Sequence, residues 1–184
     1  SWTVAPAPFH FGTNSVGGDD TLTDGTILSD MLSNYTCIFL RQEFVITDTN
    51  AMIDLKLTTR HDDGWVAWVN GQYQKSVLVN YPTRIAYTNT ASPAEAAEGA
   101  TAAYSLPLTI LRSGTNLLAI QAFNRSMTNA DFRIDVALTA IYPDLVGPVV
   151  TNVNPPPNST VTNLTQITVT FNERVTGVVA EDFL

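Results

Sequence analysis

The chain has 184 residues, of which 45% are hydrophobic, and carries a formal net charge of −8. That hydrophobic share supports a sizeable core and excludes a chain disordered by composition, and the length suits one sandwich-sized domain plus part of another. The only lysines are Lys56 and Lys75, so a basic nucleic-acid footprint is absent and an anionic membrane surface is disfavoured; neutral glycans and divalent cations suit such a surface better.

The single cysteine, Cys37, excludes an intramolecular disulfide. It lies in the apolar run Cys37-Ile38-Phe39-Leu40, which predicts a buried, inert thiol. No run approaches the ~18 apolar residues of a membrane span, so no membrane insertion is expected. Residue 1 opens in the middle of a pattern, as a mature chain or an excised fragment would. Ser, Thr, Asn and Gly fill the polar positions, which fits an exported β-protein, secreted or at the cell surface.

In chain order, residues 1–35 read as irregular, broken by Pro6, Pro8, Gly12, Gly17-Gly18 and Asp19-Asp20 and anchored by Trp2, Phe9 and Phe11. A long strand is predicted from Thr36 to Ile46, followed by a turn at Asp48–Asn50. Leu55, Leu57 and Thr59 then alternate with Lys56, Thr58 and Arg60, the period-two pattern of a half-buried strand. The acidic turn Asp62-Asp63-Gly64 leads into a strand at Trp65–Val69. Asn70-Gly71 closes it, the dipeptide that suits a type I′ turn because both central residues need φ > 0, and a further strand runs from Tyr73 to Val77.

Residues 80–103 read as a long connection whose alanine-rich piece, 94–103, is too short and glycine-interrupted for a stable lone helix. A short strand broken by Pro107 is expected over Tyr104–Leu111. Thr115–Phe123 is apolar on both faces and so central in its sheet, and Phe132–Ile141 alternates as the last strand. A boundary at 143–147 separates this first domain, 1–142, from 148–184. There Val149–Val153 and Ile167–Phe171 form two strands about Pro155-Pro156-Pro157. Only two or three strands of about 5–6 residues fit that length, so the second domain reads as incomplete. The expected fold class is all-β: a sandwich followed by part of another.

Residues 1–142 resemble a jelly-roll β-sandwich accessory domain of the galactose-binding-like kind, which recurs in large, multidomain secreted bacterial proteins. The resemblance is carried by Trp2…Ala7-Pro8-Phe9-His10-Phe11-Gly12, Leu40-Arg41-Gln42-Glu43-Phe44 and Arg60-His61-Asp62-Asp63-Gly64…Trp68-Val69-Asn70-Gly71. Leu111-Arg112-Ser113-Gly114-Thr115-Asn116-Leu117-Leu118-Ala119 and Asn124…Asp131-Phe132-Arg133-Ile134-Asp135 extend it. Residues 148–184 are similar to the opening strands of bacterial surface Ig-like repeats, through Asn154-Pro155…Thr160-Val161 and Val169-Thr170-Phe171-Asn172-Glu173…Val175. The resemblances imply fold more than activity.

Catalysis finds little support. The only histidines are His10 and His61, no G-x-S-x-G or H-E-x-x-H motif occurs, and adjacent Asp62 and Asp63 are expected to point apart, unlike a glycosidase pair. Two carboxylates on a turn can hold a hard cation, and Ca²⁺ takes about six to eight oxygens. Asn124, Asn129 and Asp131 in the loop between the last two strands can add oxygens if the sandwich brings that loop alongside. The metal set expected is Asp62, Asp63, Asn124 and Asp131. The turn also looks like the Asp-Asp pair of protective-antigen-type lectin domains in yeast adhesins, which implies calcium that ligates sugar hydroxyls. The same acidic turn equally serves to satisfy backbone N–H groups, as Asp does in Asx-turns.

Sugar rings stack on exposed aromatic faces. Trp65, at the turn, is the exposed candidate, with Trp68 assigned to the core from the resemblance; Tyr73, Tyr81 and Tyr87 can line a groove with the long connection. The alternative is that these rings serve the core or pin the loop. Glu173 and Asp182 are candidates for an inter-domain cation, or simply a solvated face. The expected function is a non-catalytic extracellular carbohydrate-binding-like module whose partner is a glycan or cell-surface polymer. The alternative is a structural or assembly module of a cell-surface fibre or layer, contacting neighbouring protein domains or subunits.

Overall fold

The structure is a computed structural model that describes residues 2–12, 24–81, 86–92 and 100–179. The chain divides into two compact units, Ser1–Pro143 and Asp144–Leu184. Gly17-Gly18, Asp19-Asp20, residues 94–99 of the alanine-rich piece and Asp182 lie outside the described residues.

The first unit is an all-β sandwich. Its strands are β1 (Phe9–Gly12), β2 (Thr26–Ile27), β3 (Cys37–Ile46), β4 (Asp54–Asp62), β5 (Gly64–Val69), β6 (Gln72–Val77), β7 (Ala100–Ser105), β8 (Gly114–Phe123) and β9 (Asp131–Ile141). One sheet has five strands in the order β2-β1-β9-β4-β7, and the other has four in the order β3-β8-β5-β6. Alternation in sequence becomes the two-faced sheet: Leu55 and Leu57 of β4 and Phe132 and Ile134 of β9 meet Trp65, Ala67 and Val69 of β5 and Leu118, Ile120 and Ala122 of β8 in one core. The doubly apolar β8 is central, between β3 and β5.

Two local expectations are corrected. The irregular lead-in contains β1 and β2, which pair in parallel, and β1 also joins β9. The strand expected over Tyr104–Leu111 begins at Ala100 and ends at Ser105, and Leu108–Ile110 is a 3-10 turn; Pro107 lacks the N–H a ladder needs. The acidic turn is a crossover: β4 and β5 lie in different sheets, and Asp63 carries the chain from one to the other. Among the described strands of this unit, β5 and β6 form the sole hairpin, and Asn70 (φ 52°) and Gly71 (φ 78°) take the positive φ its tight turn requires.

Side chains bind the loops to this frame. Asn70 Nδ2 donates to Ile110 O at 2.9 Å and to Asn116 Oδ1 at 2.8 Å, and its own Oδ1 accepts from Leu117 N at 3.0 Å. On the β6/β7 side, Lys75 Nζ sits 4.8 Å from the Tyr104 ring centre, a cation–π contact that closes that flank.

The second unit contains an antiparallel ribbon, β10 (Val150–Asn154) and β11 (Thr168–Phe171). Asp144–Gly147, expected as linker, belong to this unit and border a shallow pocket with Phe171 and Glu173. Desolvation raises the Glu173 pKa, and the Asp144 carboxyl adds to the rise. Among the described residues no helix is long and apolar enough to cross a membrane.

Candidate functional site

Two crossovers between the sheets run side by side at one end of the sandwich. Asp62-Asp63 takes the chain from β4 to β5, and residues 124–130 take it from β8 to β9. The register brings them together: Gly64 pairs with Phe123, so Asp63 and Asn124 both leave the four-stranded sheet at the same level. On the other sheet Asp62 stands opposite Arg133, and Asp131 opposite Gly12. Gly12 has φ 124°, and a Cβ there would lie 2.6 Å from Ala130 O and 2.8 Å from Asp131 Cβ; only glycine lets β1 close over this corner.

The loop therefore does lie against the acidic turn. Arg125 N donates to Asp63 Oδ2 at 2.6 Å and Asn129 Nδ2 reaches the same oxygen at 3.4 Å. Asn129 Nδ2 also donates to Asp131 Oδ1 at 2.9 Å. The Asp62–Asp63 peptide is cis, and the Asp62 side chain lies near enough to the Asp63 carboxyl to lower its pKa, so the two do not point apart as expected. Asp62, Asp63, Asn124 and Asp131 are all buried, none more than 5% exposed. Burial pushes the Asp63 carboxyl above its ordinary value; the Arg125 N–H, Asp62 and the Arg125 charge oppose that rise, and Asp131 adds to it.

The Asn124 side-chain oxygen is buried and accepts no hydrogen bond, although the Asn124 backbone is fully used, its N–H donating to Thr36 O at 2.8 Å and its carbonyl accepting from Ala91 N at 3.0 Å. A buried acceptor without a donor costs on the order of 1–3 kcal/mol, and a cation is one group that supplies the missing charge. Among the described residues no three His, Cys, Asp or Glu side chains group as a metal site by themselves. A cation here would draw on the Asn124 amide and backbone carbonyls beside the carboxylates.

The aromatic expectations reverse. Trp65 is fully buried between the sheets, not exposed: its ring meets His61 at 5.9 Å and Tyr104 at 5.8 Å. It shares a face with Ala67 and Val69 as the alternation requires, and that face is the core because the turn before it is a crossover instead of an exposed hairpin tip. Trp68, assigned to the core, lies on the outer face of the four-stranded sheet with Val66. There Tyr73 and Tyr81 stack with ring centres 4.2 Å apart and planes 11° apart, and Tyr81 meets Trp68 edge-on at 6.0 Å. Tyr73 is 41% exposed and its hydroxyl hydrogen-bonds Ser76 Oγ at 3.0 Å. Tyr87 is exposed, but the ring contacts that join Tyr73 and Tyr81 do not reach it.

The strand register extends this face. Arg41, Ala119, Trp68 and Tyr73 lie in one row across β3, β8, β5 and β6, and Arg41 Cζ sits 4.4 Å from the ring centre of the exposed Trp2. The small Ala119 thus lies between two aromatic groups. Trp2, Arg41 and Trp68 were not among the sequence candidates; the signal available was the pairing of Trp68 with the even-numbered outer face, hidden by the wrong choice of inner face. Both histidines are engaged: His61 Nδ1 lies 3.1 Å from Thr59 Oγ1 and His10 Nε2 3.1 Å from Asp24 O. Burial lowers the His61 pKa. Comparison with known proteins gives no match to a family model or to a curated relative.

Proposed function

We propose that the chain is a non-catalytic, carbohydrate-binding-like module of a larger secreted or cell-surface protein, with its sandwich of jelly-roll type and the second unit the opening of an Ig-like repeat. The observation that carries this reading is the cluster of Trp68, Tyr81 and the exposed Tyr73 on the outer face of the four-stranded sheet. Such rings offer apolar faces to sugar C–H groups, while the Tyr73 and Ser76 hydroxyls border them with hydrogen-bonding groups. The acidic surface agrees with a neutral glycan as ligand. Burial of both histidines in hydrogen bonds with Thr59 and Asp24 supports the non-catalytic reading.

One calcium ion belongs to this proposal, held by Asp62, Asp63, Asn124 and Asp131 with backbone carbonyls. The buried Asn124 oxygen supports it. Because all four residues are buried, the ion is structural: it fixes the two crossovers and does not itself touch sugar.

The test is a glycan-array screen of the full chain, with calcium and with a chelator, alongside Tyr73→Ala and Trp68→Ala. Binding that survives chelation and falls about fivefold or more in either aromatic variant supports the reading, since stacked rings contribute on the order of 1 kcal/mol each. Binding that vanishes on chelation while the fold persists would replace it with a calcium-bridged lectin. Absence of binding in both conditions would reject the module as glycan-binding.

A further inference from the structure

Among the described residues, one long side of the sandwich is only half closed. Along β9, residues 131–134 pair with β1 on one side, and 133–141 pair with β4 on the other. From 135 to 141 the β4 pairing continues, but among the described residues nothing pairs on the β1 side. Pro8 stands immediately before β1 and cannot donate to a ladder. The contrast is visible in one strand: inward-facing Phe132 and Ile134 are each 1% exposed, whereas Val136, Leu138 and Ala140, on the same face, are only half-buried.

The facing sheet presents an edge here too, because β3 is the outer strand of β3-β8-β5-β6. Between the two edges lies a cavity of about 210 Å³, lined by Gln42, Phe44 and Ile46 of β3, Leu55, Leu118 and Val136, Leu138 and Ala140 of β9. An apolar cavity of about 150 Å³ already holds a benzene ring, so this one accommodates bulky apolar side chains. Strand edges are usually guarded by lysine, proline or a bulge. Residues 135–141 contain no lysine, arginine or proline, and their ladder to β4 runs without a register shift.

We propose that this slot receives an extended strand of a partner protein, apolar at alternate positions and flanked by basic residues, which continues the edge that β1 begins. The backbone rungs left by 135–141 call for N–H and C=O groups at strand spacing, which a sugar or a small apolar molecule does not offer. Alternate side chains of such a strand would enter the cavity between Phe44 and Leu138, and basic ends would complement the net charge of −8. This binding mode is independent of the glycan reading: it uses the side of the sandwich, not the outer face that carries Trp68.

The test uses the full chain, isotopically labelled, and a synthetic peptide of alternating threonine and valine with two lysines at each end. A second peptide, identical but methylated on alternate backbone nitrogens, lacks the donors a strand needs. The expected result is saturable amide shifts confined to 135–141 and 42–46, at least tenfold weaker binding of the methylated peptide, and loss of binding in Leu138→Arg. Equal binding of the two peptides would reduce the slot to a non-specific apolar patch and overturn the proposal. So would shifts elsewhere, absence of binding, or slow hydrogen exchange of every amide in 135–141 before peptide is added, which would mean that the chain or a second copy already covers the edge.

Discussion

The backbone N–H of Arg125 donates to the Asp63 carboxylate at 2.6 Å, joining two crossovers 62 residues apart in sequence. This bond closes the end of the sandwich where β4 hands the chain to β5 and β8 hands it to β9. A buried carboxylate is costly in the charged state, and burial indeed raises the Asp63 pKa. The backbone donor offsets part of that cost, and a bound cation would offset more.

Calcium is therefore expected to raise thermal stability. At a concentration about 100 times Kd, binding to the native state alone adds about 2.7 kcal/mol, which for a domain of this size is a rise of several degrees. Asp63→Asn and Asn124→Ala are each expected to abolish the rise, while Asp63→Asn keeps an oxygen that can accept from Arg125 N. Differential scanning calorimetry with calcium and with a chelator checks this; an equal calcium response in wild type and both variants would remove the ion from this corner.

The two tryptophans of β5 are expected to behave oppositely. Trp65→Ala opens a cavity in the core, at a cost of about 3–5 kcal/mol. Trp68→Ala removes an outer-face ring, and a smaller loss of about 1–2 kcal/mol is expected. Urea unfolding of the two variants makes the comparison, and a larger loss in Trp68→Ala would invert the assignment of faces.

Asn116 is buried with its amide fully used: Oδ1 accepts from Arg112 N and Asn70 Nδ2, and Nδ2 donates to Arg112 O and Gly114 O. Asn116→Leu keeps the approximate size and strands those partners. Each unsatisfied buried group costs about 1–3 kcal/mol, so a loss of at least about 2 kcal/mol is expected, with faster exchange of the Arg112 amide proton.

Burial pushes the Cys37 thiol up to about 11 from its ordinary 9.0, against a small opposing effect of the Gln121 side chain. At pH 8 the folded chain is expected to alkylate about 100-fold more slowly than the denatured chain, from the thiolate fraction alone. The sign for stability follows: the unfolded thiol ionises first, so the contribution is intact below pH 9.0 and is lost as pH rises toward about 11. Alkylation rates against pH, folded and in denaturant, measure both.

Most of the sandwich was legible because its strands obey period two. Leu55 and Leu57, the Asn70-Gly71 turn and the doubly apolar β8 each specify a local conformation with little help from distant residues. What alternation cannot give is which of two faces is the inner one. For β5 that choice depends on whether the preceding turn folds back in one sheet or crosses to the other, and Asp63 crosses. Hence Trp65 and Trp68 exchanged places. The proximity of Asp63 to the 124–131 loop was readable only as a conditional, since it depends on the pairing of Gly64 with Phe123. The row from Arg41 through Ala119 to Trp68 depends on two registers at once and left no trace in any single segment.

From β3 to β9 every connection passes from one sheet to the other except the β5–β6 hairpin. Almost all pairing in this unit must therefore wait for distant parts of the chain to meet, and such topologies fold in roughly milliseconds to seconds, not microseconds. Among the described residues of this unit, the Asn70-Gly71 turn is the one place where a pair of strands can zip together from its own neighbours. It is the natural starting point of folding, and substitutions there are expected to slow the forward rate more than they speed unfolding.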